Sequence, residues 1–313
     1  IFPFFLFLVG VSMALSFARR RAAGEEPRDL VRHALGRGAA VVAIGLALNL
    51  LSFLALHGER LRFPGVLQRI GLCIAVAGVL LAVGRSRGAG VAAGVLLVAY
   101  AAILAAGPLD PHDNVPARLD RAVFGTHTWR KDFDPEGLLS TLPAIATTLL
   151  GAVAGERLTR RGPSTGTVRE LALAGTAAAA AGWAWGLFLP VNKSLWTPSY
   201  ALLTAGLAAL ALAAGVAIVD VHGARVWAAP FLWLGRNALA AFVLSILGAI
   251  LLLAVKVSGP DGRPRSLWTA IYRSVFDRFG DPRLGSLLFA LAYLAVWTVF
   301  FGLLYRRRIF FKI

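Results

Sequence analysis

Three short stretches carry the side chains that could do chemistry in this chain: RFPGVLQRIG (62–71), FDPEG (133–137) and PVNKSLW (190–196). FDPEG sets Asp134 and Glu136 on either side of Pro135. If Gly137 opens a membrane helix, both carboxylates stand at its N-terminus, where free backbone N–H groups and the helix dipole favour anions. Two roles follow, and they are compatible. Asp134 can serve as N-cap with Pro135 at N1, and paired carboxylates can remove a proton from an attacking amine. PVNKSLW holds Lys193 in a chain with four lysines against 28 arginines. Pro190 and Asn192 suit a turn, with Lys193 snorkelling and Trp196 in the interfacial belt. The same ammonium is a compact charge able to bind phosphate or carboxylate. RFPGVLQRIG brings Arg62, Gln68 and Arg69 to the start of an apolar run. Arg69, like Asn237 in FLWLGRNALAAFVLS, is expected to face a bundle interior. His127, seven residues before Asp134, is the histidine best placed to move a proton. No His, Cys and carboxylate spacing suits zinc, so no metal is expected, and no phosphate-binding Gly-rich loop is present.

The elements that must position these residues are dictated by composition. Across 313 residues, 58% are hydrophobic and 15% charged, with a mean hydropathy of +0.72. A soluble core cannot hide that much apolar surface. A hydrocarbon core of roughly 30 Å needs about 20 apolar residues in a helix, whose backbone satisfies itself. The expected fold is therefore all-α, a polytopic transmembrane bundle of about nine helices. They are expected near residues 1–18, 35–56, 66–84, 89–107, 138–156, 169–188, 197–219, 227–255 and 284–305, in one domain spanning 1–313. The opening run IFPFFLFLVG lacks an initiator Met and precedes its basic cluster Arg19–Arg20–Arg21. It therefore reads as a membrane helix with at least one element missing upstream, not as a signal peptide. The compact arginine clusters at 19–21 and 306–308 place residue 1 on the outer side, which puts all three polar stretches on the outer face.

A net charge of +16 invites a nucleic-acid reading. These arginines lie at helix ends with no aromatic-interleaved soluble platform, so the bilayer surface is the expected partner and nucleic acid is not. Cys73 is the only cysteine and sits in an apolar helix, which excludes an intrachain disulfide.

FPFFLFLVGVSM, RFPGVLQRIGLC, DRAVFGTHTW, FDPEGLLSTLPAIATTLLGAVAG and PVNKSLWTPSY, in this order and spacing, resemble the heparan-alpha-glucosaminide N-acetyltransferase family and its bacterial relatives. The resemblance covers residues 1 to about 240. It implies a membrane enzyme that moves an acetyl group from acetyl-CoA to the amine of a glucosamine-type sugar on the opposite side of the bilayer. By similarity, Gln68, Arg69, His127, Asp134, Glu136, Asn192, Lys193, Trp196 and Asn237 line or support the site, with Arg62 beside them. The family's catalytic histidine belongs to an outer loop upstream of IFPFFLFLVG, before the first residue of this sequence. Asn192 and Lys193 are the expected donors to the tetrahedral oxyanion, and Arg69 and Arg236 the expected lining of the CoA route. The arginine- and alanine-rich usage points to a GC-rich bacterium, its inner membrane and a cell-envelope amino sugar. Besides that substrate and the lipid bilayer, a homo-oligomer is left open as a partner. Two other readings stay open: an amino-sugar transporter or flippase, and a non-catalytic membrane subunit.

Overall fold

A computed structural model describes residues 1–110, 112–130, 133–259 and 262–311, Ser86 by its backbone alone. The chain forms two compact units, Ile1–Leu46 with Arg62–Ala224, and Ala47–Leu61 with Arg225–Ile313.

The first unit is built from α1 (Phe2–Ala22), most of α2 (Pro27–Ala55), α3 (Val66–Ala105), α4 (Val115–Phe124), α5 (Thr141–Arg161), α6 (Thr165–Trp185) and α7 (Pro198–Gly215), the last continued by a wider turn over Val216–Val221. The sequence sets the ends of these helices. Pro3 stands in the first turn of α1, where a missing N–H is no loss, and Arg19, Arg20 and Arg21 close it where cations suit the helix C-terminus. Ser164 caps α6 by accepting the Thr167 N–H at 3.2 Å. At Arg85 the backbone turns to φ 51°, ψ −157°, which divides α3 into two lengths, Val66–Arg85 and Arg87–Ala105, each able to cross a bilayer.

Helix α5 is the axis of this unit and packs against α1, α3 and α7. Its contact with α1 is a backbone-to-backbone approach. A Cβ on Gly10 would lie 1.8 Å from the Thr148 carbonyl oxygen, and one on Gly151 would lie 1.9 Å from that of Phe7. Without a hydrophobic drive between helices in lipid, small residues at the contact let dispersion and close packing do the holding. Thr147 and Thr148, both fully buried, satisfy their hydroxyls on the carbonyls one turn back, Pro143 at 3.0 Å and Ala144 at 3.2 Å.

In the second unit α8 (Ala229–Gly235), α9 (Ala238–Ala254), a hairpin of β1 (Lys256–Ser258) and β2 (Pro264–Ser266), α10 (Leu267–Ile271) and α11 (Pro282–Arg306) follow one another. Asp281 caps α11 by accepting the Arg283 N–H at 2.8 Å, with Pro282 at its first position. Trp268 and Phe289 meet edge to face at 4.7 Å, and Tyr293 donates to the Ser245 carbonyl at 2.5 Å.

The architecture is all-α and polytopic, while the expected count of nine spans is not confirmed. Among the described residues six helices are long and apolar enough to cross a membrane, or seven if the segments Val226–Gly235 and Ala238–Ala254, bent by 72°, count as one span. All nine expected stretches fall on helices. Two of them, α5 and α6, are Thr-, Gly- and Ala-rich and fall short of a span's apolarity. Enclosed α5 needs small residues for packing more than it needs large apolar ones.

Candidate active site

The FDPEG segment does not open a helix. Helix α5 begins only at Thr141, and residues 134–140 form successive turns, with the Gly137 N–H on the Asp134 carbonyl at 3.2 Å and the Thr141 N–H on that of Leu138 at 3.1 Å. The expectation that Asp134 and Glu136 stand at a helix N-terminus is therefore corrected. Other elements take the backbone groups that would have started a helix. Asp120, on α4, accepts the Leu138 N–H at 2.9 Å. Arg69, on α3, donates through Nη2 to the carbonyls of Pro135 at 2.7 Å and Gly137 at 3.4 Å and to the Ser140 hydroxyl at 2.5 Å.

Asp134 is a hub. Its side chain is fully buried and accepts four hydrogen bonds: from Arg62 Nε at 2.8 Å and Nη2 at 2.6 Å, and from the N–H groups of Trp129 at 2.8 Å and Glu136 at 2.9 Å. All of its strong acceptor sites are thus in use. Arg62 forks onto Asp134 in the bidentate manner that suits a guanidinium and also bonds Glu136 Oε2. Burial alone would lower the pKa of Arg62, but the hydrogen bonds and charges of Asp134 and Glu136 outweigh it and hold the guanidinium above its ordinary value. Glu136 differs from Asp134. Its Oε2 meets Arg62, while its Oε1 has no hydrogen bond among the described residues.

Arg69 is 1% exposed, with its guanidinium carbon 5.1 Å from the centre of the Trp196 ring. Among the described residues its Nε and Nη1 have no acceptor, nor does Nε2 of the neighbouring Gln68. A buried donor left unmade costs about 1–3 kcal/mol, and more when charged.

Two residues here escaped the sequence reading. Asp120 lies under the FDPEG turn, so close that a Cβ on Gly137 would stand 1.7 Å from its Oδ2. Burial pushes its pKa up to about 6, the Leu138 N–H opposes this, and the charge of Asp134 adds to it. The available signal was the amphipathic pattern of VPARLDRAVF, which puts Pro116, Ala117 and Asp120 on one buried face. Ser140 falls inside the helix expected over 138–156, and nothing in its local sequence marks its bond to Arg69.

PVNKSLW is a rigid turn. Asn192 Oδ1 accepts the N–H groups of Ser194 at 2.8 Å and Leu195 at 3.1 Å, and its own N–H donates to Thr197 Oγ1 at 3.0 Å. Tyr100, on α3, donates to the Leu195 carbonyl at 2.7 Å. Trp196 is held at φ 50°, a region that a bulky residue rarely adopts. Burial to 1% exposure, edge contacts with Phe2 at 5.2 Å and Tyr200 at 5.5 Å, and a 3.4 Å bond from Nε1 to Thr147 keep it there. Lys193 is exposed; its carbonyl accepts the Trp196 N–H at 3.2 Å, and its ammonium makes no hydrogen bond or ion pair among the described residues. His127 stacks on Phe63 at 4.4 Å, while the Phe63 N–H donates to its carbonyl at 2.9 Å.

Arg62, Gln68, Arg69, His127, Asp134, Glu136, Asn192, Lys193 and Trp196 all belong to the first unit. Contacts and sequence neighbours link them through the FDPEG turn, the start of α3 and the PVNKSLW turn. Asn237 belongs to the second unit. There its amide clamps the C-terminal tail, Oδ1 accepting the Phe311 N–H at 2.9 Å and Nδ2 donating to the Ile309 carbonyl at 3.2 Å. Arg236, exposed, lies 5.9 Å from the Phe310 ring centre. Among the described residues no three His, Cys, Asp or Glu side chains converge to hold a metal ion.

A helical bundle with several spans, carrying one largely buried ionic cluster of Arg62, Asp134 and Glu136, defines a membrane-embedded protein with a polar site. Residues 1–184, more than half of the chain, match the family described as Heparan-alpha-glucosaminide N-acetyltransferase, catalytic, and the chain belongs to that family. No curated protein matches it.

Proposed function

We propose that this chain is a multi-pass membrane N-acetyltransferase that uses acetyl-CoA as donor and an amino sugar of the cell envelope as acceptor, with the two substrates reaching the site from opposite sides of a bacterial inner membrane. Family membership supports acetyl transfer to an amino sugar. The observation that carries the assignment of residues is the unequal bonding of the two carboxylates.

The amine of an amino sugar is largely protonated near neutral pH and must lose a proton before it can attack a thioester. Glu136, with one oxygen tied to Arg62 and the other unengaged, is suited to accept that proton, and His127 to assist it. Asp134, with four donors already on it, is a positioning residue that fixes Arg62 and the turn. Trp196 walls the buried end of the site beside Gln68 and Arg69. The PVNKSLW turn, held in shape by Asn192, presents Lys193 to an anionic group of a substrate. Asn237 supports the fold of the second unit by fixing its tail. The whole chain works as one transmembrane acyltransferase domain.

The test is incubation of membranes carrying the full-length protein with labelled acetyl-CoA and glucosamine. Label appearing covalently on the sugar amine supports the reading. A second reading, sugar transport, is favoured by the sharply broken helix pair α8–α9, since discontinuous helices mark many transporters. Uptake of unmodified sugar without acetylation would establish that reading instead.

A further inference from the structure

Helix α3 carries Arg69 into the bundle with its guanidinium only partly satisfied. Nη2 is fully used on the Pro135 carbonyl, the Gly137 carbonyl and the Ser140 hydroxyl. Nε and Nη1 carry three N–H bonds between them, are buried and have no acceptor among the described residues. The Trp196 ring lies 5.1 Å from the guanidinium carbon, so rotation of the group is restrained by an aromatic contact and by three bonds at one nitrogen. A fixed cationic donor in a site of low dielectric suits an oxygen on which negative charge develops, because its orientation needs no rearrangement during reaction. Asn192, a donor expected from sequence, is a neutral amide anchored in its own turn through Oδ1, and the ammonium of Lys193 is exposed to solvent.

The geometry points to Arg69 as the residue that binds the carbonyl oxygen of the acetyl thioester through Nε and Nη1 and stabilises the tetrahedral oxyanion. This inference rests on the acetyl-transfer reading above. In the step it serves, the sugar nitrogen forms a bond to the carbonyl carbon and the π pair moves onto oxygen, where Arg69 holds it. That pair then re-forms the carbonyl as the carbon–sulfur bond breaks and CoA leaves as a thiolate. The proton lost by the amine passes to Glu136 and on to the thiolate. Arg69 gives up no proton at any stage. Gln68 Nε2, also buried and without an acceptor among the described residues, is one residue away but is not required by this step.

The test uses full-length protein and acetyl-CoA bearing carbon-13 at the carbonyl, read by isotope-edited infrared spectroscopy, together with steady-state kinetics of Arg69→Lys. The bound carbonyl band of the wild type is expected below that of free acetyl-CoA. Arg69→Lys is expected to return the band toward the free position and to lower kcat about 10²–10³-fold, with the donor KM changed less than about threefold. A wild-type band at the free position overturns the inference, and this holds even if the variant fails to fold. Retention of wild-type kcat by Arg69→Lys overturns it as well. A wild-type protein that transfers acetyl while showing either result loses only this inference; one that transfers none loses the acetyl-transfer reading and the inference together.

Discussion

Replacing each of the two carboxylates by its amide should separate what they do. Asn at position 134 keeps one acceptor oxygen and puts an NH₂ group where the other stood. Either orientation points that group at two donors, Arg62 Nε with the Trp129 N–H or Arg62 Nη2 with the Glu136 N–H. One bond from a charged donor, about 1.5–3 kcal/mol, and one from a backbone donor, about 0.5–1.5 kcal/mol, are lost. Asp134→Asn is therefore expected to cost about 2–4 kcal/mol, or about 3–6 °C in melting temperature, and to expose the turn to protease. Gln at position 136 keeps the oxygen that accepts from Arg62 and loses only the charge assistance, about 1 kcal/mol. Glu136→Gln is expected to melt within a few degrees of wild type yet lose at least about 10²-fold in kcat, the usual contribution of a general base. Tryptophan-fluorescence melts in detergent and acetyl-transfer rates on the same preparations give both numbers. An Asp134→Asn protein as stable as wild type, or a Glu136→Gln protein that turns over normally, would refute the division of labour.

Two further outcomes concern the same cluster and a third the PVNKSLW turn. Gly137→Ala drives a Cβ to 1.7 Å from Asp120 Oδ2, so it should destabilise by about 1–3 kcal/mol and lose activity with the displaced turn, measured by melting and transfer rate. Asp120 binds its proton more tightly folded, at about pH 6, than unfolded, at about 3.9. Its contribution to stability is thus full below about pH 4, falls as pH rises to about 6 and is level above, a change of about 3 kcal/mol; Asp120→Asn should remove that slope from melts taken across the range. Lys193→Gln removes an exposed side chain without a partner among the described residues, so stability should move by less than about 0.5 kcal/mol, while the KM of one substrate should rise.

What sequence made legible, and what it hid, divides along physical lines. Apolar runs of about 20 residues report helices well because a bilayer leaves the backbone few options, so every expected stretch lies on a helix. Apolarity is a poorer guide to which helices are spans: α5 is held by close approach through Gly10 and Gly151, and α8–α9 breaks at Arg236–Asn237. The polar residues of the first unit stood out for their depth and rarity, and Arg62, Arg69, Asp134 and Glu136 do bond to one turn. Their bonding was not legible. FDPEG looked like a helix start because Asp-Pro-Glu is a good one. It is a turn because Asp120 and Arg69, distant in sequence, claim its N–H and carbonyl groups. Asn237 stood out as a polar residue at membrane depth, and sequence gave no sign that its amide pairs with backbone more than 70 positions away.

Acetyl transfer across a sealed bilayer tests the central claim most directly. Vesicles reconstituted with the full-length protein, holding an amino sugar inside and labelled acetyl-CoA outside, should accumulate labelled N-acetyl sugar within the lumen, and vesicles carrying Glu136→Gln should not. Label remaining on CoA, or reaching the sugar only when both substrates share one compartment, would contradict the account.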